Sequence, residues 1–365
     1  MPSLEKIVVQ DFRNIALQEL TFSPNINCIT GGNGQGKTNL CDAIWYLSMT
    51  KSSSGAADRF NFRHGTHALS IAGTYAMESG LKSIFAIQVS EDGDKRIRRD
   101  DKPYARISEH IGVLPVVMVS PSDISLVSES GEERRRFVNA FISQIDREYL
   151  SATQQYRRLL QQRNRLLKEG SADPLLLDTF DERLSECAEL IAAKRREFIA
   201  ETAPVVGEYY ERISGGREKV SIGYRSDLDR GSLKDILLER RERDIAIGFT
   251  SAGVQRDDFP FTMDGYSIRK CGSQGQQKSF LVALKFAQYE VMKRRYGFAP
   301  TLLLDDLFDK LDRDRVANLL QMVSGQDFGQ IFLSDTNRSR LSDIIDGITS
   351  DRAYFEAVDG TFKRL

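Results

Sequence analysis

Residues Gly31-Gly32-Asn33-Gly34-Gln35-Gly36-Lys37-Thr38 fit the pattern Gly, four free positions, Gly-Lys-[Ser/Thr]. The residue types dictate a phosphate cradle. Glycines let backbone N–H groups turn inward around a polyphosphate, Lys37 can reach β- and γ-phosphates, and the Thr38 hydroxyl can ligate Mg²⁺. The flanks agree with this reading. Phe22 to Thr30 reads as a short buried strand through Ile26, Cys28 and Ile29, and Thr38 to Leu47 as a helix through Leu40, Ala43, Ile44 and Leu47. A strand–loop–helix unit aims the positive end of the helix dipole at bound phosphates.

A chain of 365 residues with 41% hydrophobic content can bury a core and divide into two or three domains. The first residues show no charged segment followed by a long apolar run, and no window approaches a membrane span. With no such span, no membrane partner is expected, and Cys28, Cys41, Cys187 and Cys271 lack paired spacing, which argues against a zinc site and fits a reducing cytoplasm. His64, His67 and His110 suggest no metal site. Net charge is −1, so the distribution of charge carries more than its sum. Basic residues bunch at Lys95 to Arg99, Arg134 to Arg136, Arg157 to Lys168, Lys194 to Arg196 and Lys293 to Arg295.

In chain order, strands are expected at Leu4 to Val9 and Ala16 to Phe22. After the cradle and its helix comes an antiparallel meander, His67 to Tyr75, Lys82 to Val89 and Lys95 to Arg99, with Asp92-Gly93 supplying a tight turn. Val113 to Val119 reads as a buried strand. From Gly131 the apolar period changes from two to about 3.6. Helices are expected over Glu132 to Ile142 and Asp146 to Lys168. A third, capped by Asp173 with Pro174 at its first position, is expected to end near Pro204. Beyond Ser214-Gly215-Gly216 the expectation is a strand at Val220 to Tyr224, a helix at Ser232 to Glu242, and a hairpin across Asp264-Gly265. A long helix, Gln276 to Tyr296, and buried strands at Pro300 to Leu304 and Gly329 to Ser334 follow, with a last hairpin across Asp359-Gly360. The organisation is an α/β head, residues 1–130 and 246–365, interrupted by a helical arm domain, 131–245.

Two further segments carry chemistry. Asp305 ends an apolar strand, where open α/β sheets place ligands, and can complete a Mg²⁺ site begun by Thr38; Asp306 is then placed to orient or deprotonate an attacking water. Ser273-Gln274-Gly275-Gln276 opens a helix and again suits an anion. One triphosphate does not need two cradles in one chain, so the second suggests a site offered to the nucleotide of another subunit.

Cradle, Ser-x-Gly-Gln helix start and acidic strand end, in this order and with helices inserted, resemble the heads of ABC-type and SMC-like ATPases. Asp11-Phe12-Arg13-Asn14, Gly34 to Leu40, Val119 to Asp123, Glu133 to Phe137, Gln162-Arg163-Asn164, Arg256-Asp257-Asp258, Ser273 to Lys278 and Leu303 to Asp306 together resemble the RecF family. The resemblance implies an ABC/SMC-type P-loop ATPase head with an inserted α-helical arm, and a weak ATPase that serves as a dimerisation switch. It implies that Gly31, Gly32, Asn33, Gly34, Gln35, Gly36, Lys37 and Thr38 bind ATP, with Arg13 and Asn14 reaching the nucleotide from the edge. Thr38 and Asp305 would hold Mg²⁺, and Asp306 would be the catalytic acid alongside Lys37. Ser273, Gly275 and Gln276 would act in trans in a homodimer. It further implies double-stranded DNA at gaps or single-strand/double-strand junctions, the partners RecR, RecO and RecA, and a nucleoid-associated cytoplasmic location. Gln255 stands where the family often has His, and Asp335-Thr336-Asn337 follows a strand without the His of many transporter ATPases.

Arg96, Arg98 and Arg99 on the head and Arg157, Arg158, Arg163 and Arg165 on the arm are the DNA candidates. Such residues would give salt-sensitive, largely sequence-independent binding to duplex backbone. Alternatives from other classes are an SMC-like structural ATPase, which calls for far longer arms, and a metal-dependent nuclease, which calls for a further acidic cluster. A transporter ATPase would need a membrane partner, and the inserted arm speaks against it.

Overall fold

The structure, a computed structural model, describes residues 2–129, 131–169, 173–306, 329–347 and 349–365. Contacts divide it into two compact units, residues 1–123 with 284–365, and residues 124–283. The segment 246–283, placed by sequence with the C-terminal part of the head, lies in the second unit.

The first unit holds two six-stranded sheets. One is an antiparallel meander in the order Ile15–Thr21, Ser3–Phe12, Ala68–Ala76, Lys82–Ser90, Lys95–Arg99, Lys102–Pro103. Its alternation is that of a sheet with one face covered: in Lys82–Ser90, Ser83, Phe85, Ile87 and Val89 are buried, while Lys82, Ile84 and Gln88 are exposed.

The other sheet runs Thr361–Arg364, Arg352–Val358, Ile26–Thr30, Ile331–Asp335, Thr301–Leu304, Val116–Val119. Every neighbouring pair is parallel except the terminal hairpin. Its central strands are buried at every residue, as parallel strands covered on both faces are. Phe22 stands edge-on to Phe332 and Phe355, with ring centroids 4.8 and 5.5 Å away. Gln330 staples the two sheets. Its Oε1 accepts from Leu4 N at 2.7 Å and its Nε2 donates to the carbonyls of Leu4 and Ser23, so a fully buried amide is satisfied by backbone.

The second unit contains helices Gly131–Ile145, Arg147–Glu169 and Pro174–Ser214, two short ones, Leu233–Glu239 and Arg241–Ile247, and a three-stranded sheet, Tyr266–Ser267, Phe261–Met263, Val220–Ile222. Asp173 caps the long helix by accepting from Leu175 N at 3.0 Å, with Pro174 behind it, as the sequence leads one to expect.

That helix does not end near Pro204; it runs 41 residues with the proline inside. An interior proline costs ~3 kcal/mol. The apolar stripe continues on both sides of it through Phe198, Ile199, Val205, Val206 and Tyr209, all buried, and that burial outweighs the lost hydrogen bond. The single helix expected over Ser232 to Glu242 is two, broken at Arg240, whose backbone (φ −94°, ψ 3°) leaves the helical region. The hairpin across Asp264-Gly265, expected from sequence to pair Phe259 to Met263 with Tyr266 to Arg269, stops at Ser267, and the chain turns into a short helix, Ile268–Cys271. Among the described residues no helix is long and apolar enough to cross a membrane.

Candidate functional site

Parallel strands bring their C-terminal ends to one edge, and this edge gathers the cradle, Asp305-Asp306 and Asp335. The loop leaves Ile26–Thr30 and enters the helix Lys37–Met49 through Gly36, in the left-handed region at φ 106°. Gly31 has no room for a side chain, because a Cβ there would sit 2.5 Å from the Ala357 carbonyl oxygen at φ 153°. Glycine at these two positions is a steric requirement of the loop.

Lys37 is 3% exposed, and its Nζ donates to the carbonyls of Gly31 and Gly32 at 2.9 and 3.1 Å. Asp306 Oδ1 lies 3.8 Å from the same nitrogen. The lysine therefore points back over its own loop and toward the acidic strand end.

Asp305 is fully buried and joined to its neighbour by Ser334. The Ser334 hydroxyl donates to Asp305 Oδ1 at 2.6 Å and accepts from Asp306 N at 2.9 Å. This holds Asp306 in a left-handed backbone (φ 43°) that non-glycine residues adopt at a cost. Burial pushes the Asp305 carboxyl above the usual carboxylate range, while the hydroxyls of Ser334 and Thr38 and the Lys37 ammonium pull the other way. Asp305 Oδ2 is buried without a hydrogen-bond partner. A buried, singly satisfied carboxylate beside a threonine hydroxyl suits a hard cation such as Mg²⁺, which takes one or two protein oxygens and leaves its remaining positions to phosphate and water. Cys41, buried beside these acids, has its thiol pushed well up by burial and by Asp305, Asp306 and Asp42, so it is inert.

Arg13 and Asn14 do sit beside the cradle, but Arg13 is committed to the protein. Its guanidinium pairs with Asp42 at 2.6 Å and donates to Asn39, Ser52 and Asn61. Asn14 Oδ1 accepts from Asn39 Nδ2 at 2.7 Å. A third turn closes on the loop, for Gly360 N donates to the Gln35 carbonyl at 3.0 Å and Asp359 N to Gln35 Oε1 at 2.7 Å.

The second anion-suited segment begins the helix Gln274–Tyr296. Ser273 and Gln276 cap it reciprocally: Gln276 N donates to Ser273 Oγ at 3.3 Å and Ser273 N to Gln276 Oε1 at 2.8 Å. Gln276 Nε2 also holds Glu218 at 2.8 Å, so its amide is occupied in bracing the helix start.

The DNA candidates separate. Arg157, Arg158 and Arg165 are exposed, the last paired with Glu169 one turn on. Arg96 is exposed beside Asp94, Arg99 lies over the Phe85 ring, and Arg98 with Lys95 and Tyr104 lines an open groove of ≈ 620 Å³. Lys95 itself is tied to Asp58 and the Thr50 carbonyl.

Arg163 is a correction. It is fully buried, with Nε 2.6 Å from Asp181 and Nη1 2.9 Å from Asp244 and 2.8 Å from Thr250, and so faces no solvent for DNA to occupy. Residues that sequence reasoning missed are Ser334, whose hydroxyl in an otherwise apolar strand was the available signal, and the Asp335–Arg340 pair. Asp335 is fully buried at the end of the adjacent strand and held by Arg340 Nη2 at 2.6 Å.

The family model for the RecF/RecN/SMC N terminal domain matches residues 3–350. A protein named DNA replication and repair protein RecF from Parabacteroides distasonis is 42% identical over 357 residues, 98% of each chain. Its namesake from Bacteroides thetaiotaomicron is 40% identical over 363 residues, covering 99% of this chain and 98% of that one. Among solved structures, the recombination mediator protein RecF with ATP in the RecFOR pathway superposes with a TM-score of 0.91 at 29% identity, covering 100% of this chain and 98% of that one. An Smc head domain from Pyrococcus furiosus shares the fold, with a TM-score of 0.58 at 16% identity, covering 100% of this chain and 96% of that one. Fold and cradle define an ATPase head of the ABC/SMC type, interrupted by a helical insertion. Within that class, the chain belongs to the RecF family.

Proposed function

We propose that this chain binds ATP and Mg²⁺ at Gly31 to Thr38, hydrolyses ATP slowly, and uses the nucleotide as a switch for homodimerisation on double-stranded DNA near gaps. In that role it acts with RecO and RecR to promote RecA loading. The observation that carries the reading is the convergence of Lys37, Asp305 and Asp306, joined by Ser334, on the edge from which the Gly31 to Thr38 loop emerges. Loop N–H groups and the helix dipole receive the phosphates. Lys37 exchanges the carbonyls of Gly31 and Gly32 for β- and γ-phosphate oxygens and neutralises charge as the bond to the leaving group lengthens.

Thr38 and Asp305 would hold the Mg²⁺, which when bound draws charge from the phosphate oxygens. Asp306, fixed through its backbone to Ser334, orients a water and accepts its proton. Ser273 and Gly275 of a second copy approach the γ-phosphate, so the site is complete only in the dimer, and hydrolysis releases it. Arg96, Arg98, Arg99, Arg157, Arg158 and Arg165 contact DNA phosphates, while Arg163 is excluded by its burial.

Sedimentation velocity with ATP and Mg²⁺ on wild type and Ser273→Arg tests this reading. Wild type is expected to sediment as a dimer and the variant as a monomer; an equally strong dimer in the variant contradicts the shared site.

A further inference from the structure

The hairpin Arg352–Val358 and Thr361–Arg364 turns at Asp359-Gly360, and such a tip is normally the most solvated part of a hairpin. Here Gly360 is buried. Three backbone turns from distant parts of the sequence are layered closely, with only the amides of Asn14 and Gln35 between them: the Arg13-Asn14 turn, the cradle, and the hairpin tip. A Cβ on Gly36 would lie 3.0 Å from the Asn14 amide and 3.3 Å from Gly360 Cα, and a Cβ on Gly360 would lie 2.2 Å from the Asn14 carbonyl oxygen and 2.8 Å from its carbon. Two hydrogen bonds lock the stack, from Gly360 N to the Gln35 carbonyl and from Asp359 N to Gln35 Oε1.

We propose that the hairpin tip is part of the scaffold of the phosphate loop and that Gly360 is a positioning residue for the nucleotide. The inference rests on the ATP reading above. The physical reason is that a loop of this kind binds through backbone N–H direction, and the glycines at 31, 32, 34 and 36 carry no side chains of their own to hold that direction. The last hairpin supplies rigidity from outside, through Gln35 and through the close approach of Gly360 to Asn14 and Gly36. Crowding at position 360 pushes the Asn14 turn and the loop apart and misdirects the N–H groups. The chemistry at Lys37 and Asp306 keeps its own residues.

Gly360→Asn is the discriminating variant, because asparagine tolerates the left-handed backbone (φ 76°) and changes only the space a Cβ needs. Gly93→Asn is its matched control, since Gly93 lies at another hairpin tip with φ 83°, and a Cβ there would meet nothing within 4 Å. On the full chain, we expect Gly360→Asn to weaken ATP and ADP by about tenfold or more. KM should rise while kcat at saturation moves less than about threefold. Amide exchange in residues 31–38 without nucleotide should accelerate, and Gly93→Asn should match wild type in all of these.

Gln35→Met, which removes the acceptor of Asp359 N–H without adding bulk, should accelerate the same exchange, and decides the matter if Gly360→Asn fails to fold. Unchanged exchange in residues 31–38 in the folded variants, or ATP and ADP affinities of Gly360→Asn within about twofold of wild type, overturns the proposal. Failure of wild type to bind ATP, with exchange still accelerated in the variants, overturns the nucleotide role and leaves a brace of the loop alone.

Discussion

Arg163→Ala separates a structural arginine from the exposed arginines, proposed above to contact DNA, with which it shares a helix. Its guanidinium is fully buried between Asp181 and Asp244, and Thr250 completes its contacts. After truncation, Asp181 still has Arg241 at 2.9 Å, whereas among the described residues Asp244 keeps the Ser251 N–H at 3.0 Å and no cation. A charge left buried without its partner costs ~3–5 kcal/mol. For a compact unit of this size each kcal/mol moves the midpoint about 2–4 °C, so the helical unit should melt about 6–20 °C earlier. Far-UV circular dichroism, dominated by the long helices, reads that unit. The fluorescence of Trp45, the single tryptophan, reads the head. The dichroism transition should fall well before any change at Trp45. Asp244→Asn in an Arg163→Met background should restore part of the loss, because it removes the stranded charge. Arg157→Ala, exposed on the same helix, should stay within about 0.5 kcal/mol of wild type and weaken duplex binding in a salt-dependent way. An Arg163→Ala protein as stable as wild type but deficient in DNA binding would refute the argument.

Asp306→Asn should lower ATP turnover by about 10²–10⁴-fold while preserving ATP-dependent dimers, read by phosphate release and sedimentation; dimers that vanish with turnover would argue against a release role for hydrolysis. Gly31→Ala forces a Cβ to 2.5 Å from the Ala357 carbonyl oxygen, so nucleotide titration should show binding lost by about tenfold or more, with strain of ~1–3 kcal/mol seen as a lower melting point. The Asp305 carboxyl is held above the usual range, so the native state binds its proton more tightly than the unfolded chain does. Its charge therefore costs stability above that raised pKa, and the cost fades as pH falls through it. Asp305→Asn should raise the melting point of the nucleotide-free protein at neutral pH, with the gain shrinking under acid conditions, while abolishing any Mg²⁺-dependent gain with ATP.

The local features of the head were legible because they rest on short-range chemistry. The strand–loop–helix around Lys37, the meander and the Asp92-Gly93 and Asp359-Gly360 turns all follow from residue type and spacing. What failed needed partners distant in sequence. Arg163 was grouped with Arg157 and Arg158 by proximity, yet it falls in step with Ala152, Tyr156, Leu159 and Leu167, all buried on the inner stripe of its helix. The period held the signal, but the two aspartates that make an inward arginine tolerable come from other elements. Pro204 misled for a related reason, since a local penalty was outweighed by burial on either side. Ser334 could be seen as an oddity in an apolar strand, but not as the bridge between Asp305 and Asp306, because strand order within the sheet fixes that role.

The order of strands in the parallel sheet also sets a timetable. Ile26–Thr30, which launches the phosphate loop, pairs on one side with Arg352–Val358 and on the other with Ile331–Asp335, so both its neighbours are synthesised roughly three hundred residues after it. At ordinary rates of synthesis, from about a quarter of a minute to about a minute separates this strand from its partners. The unit spanning 124–283 is contiguous and is complete within that interval, while Ile26–Thr30 waits as an apolar strand without its two sheet neighbours. A product stalled or clipped before residue 331 would thus lack both strands that flank the one launching the loop. In this architecture the shape of the phosphate loop depends on chain made more than three hundred residues after it, through the Asp359-Gly360 turn that closes on Gln35.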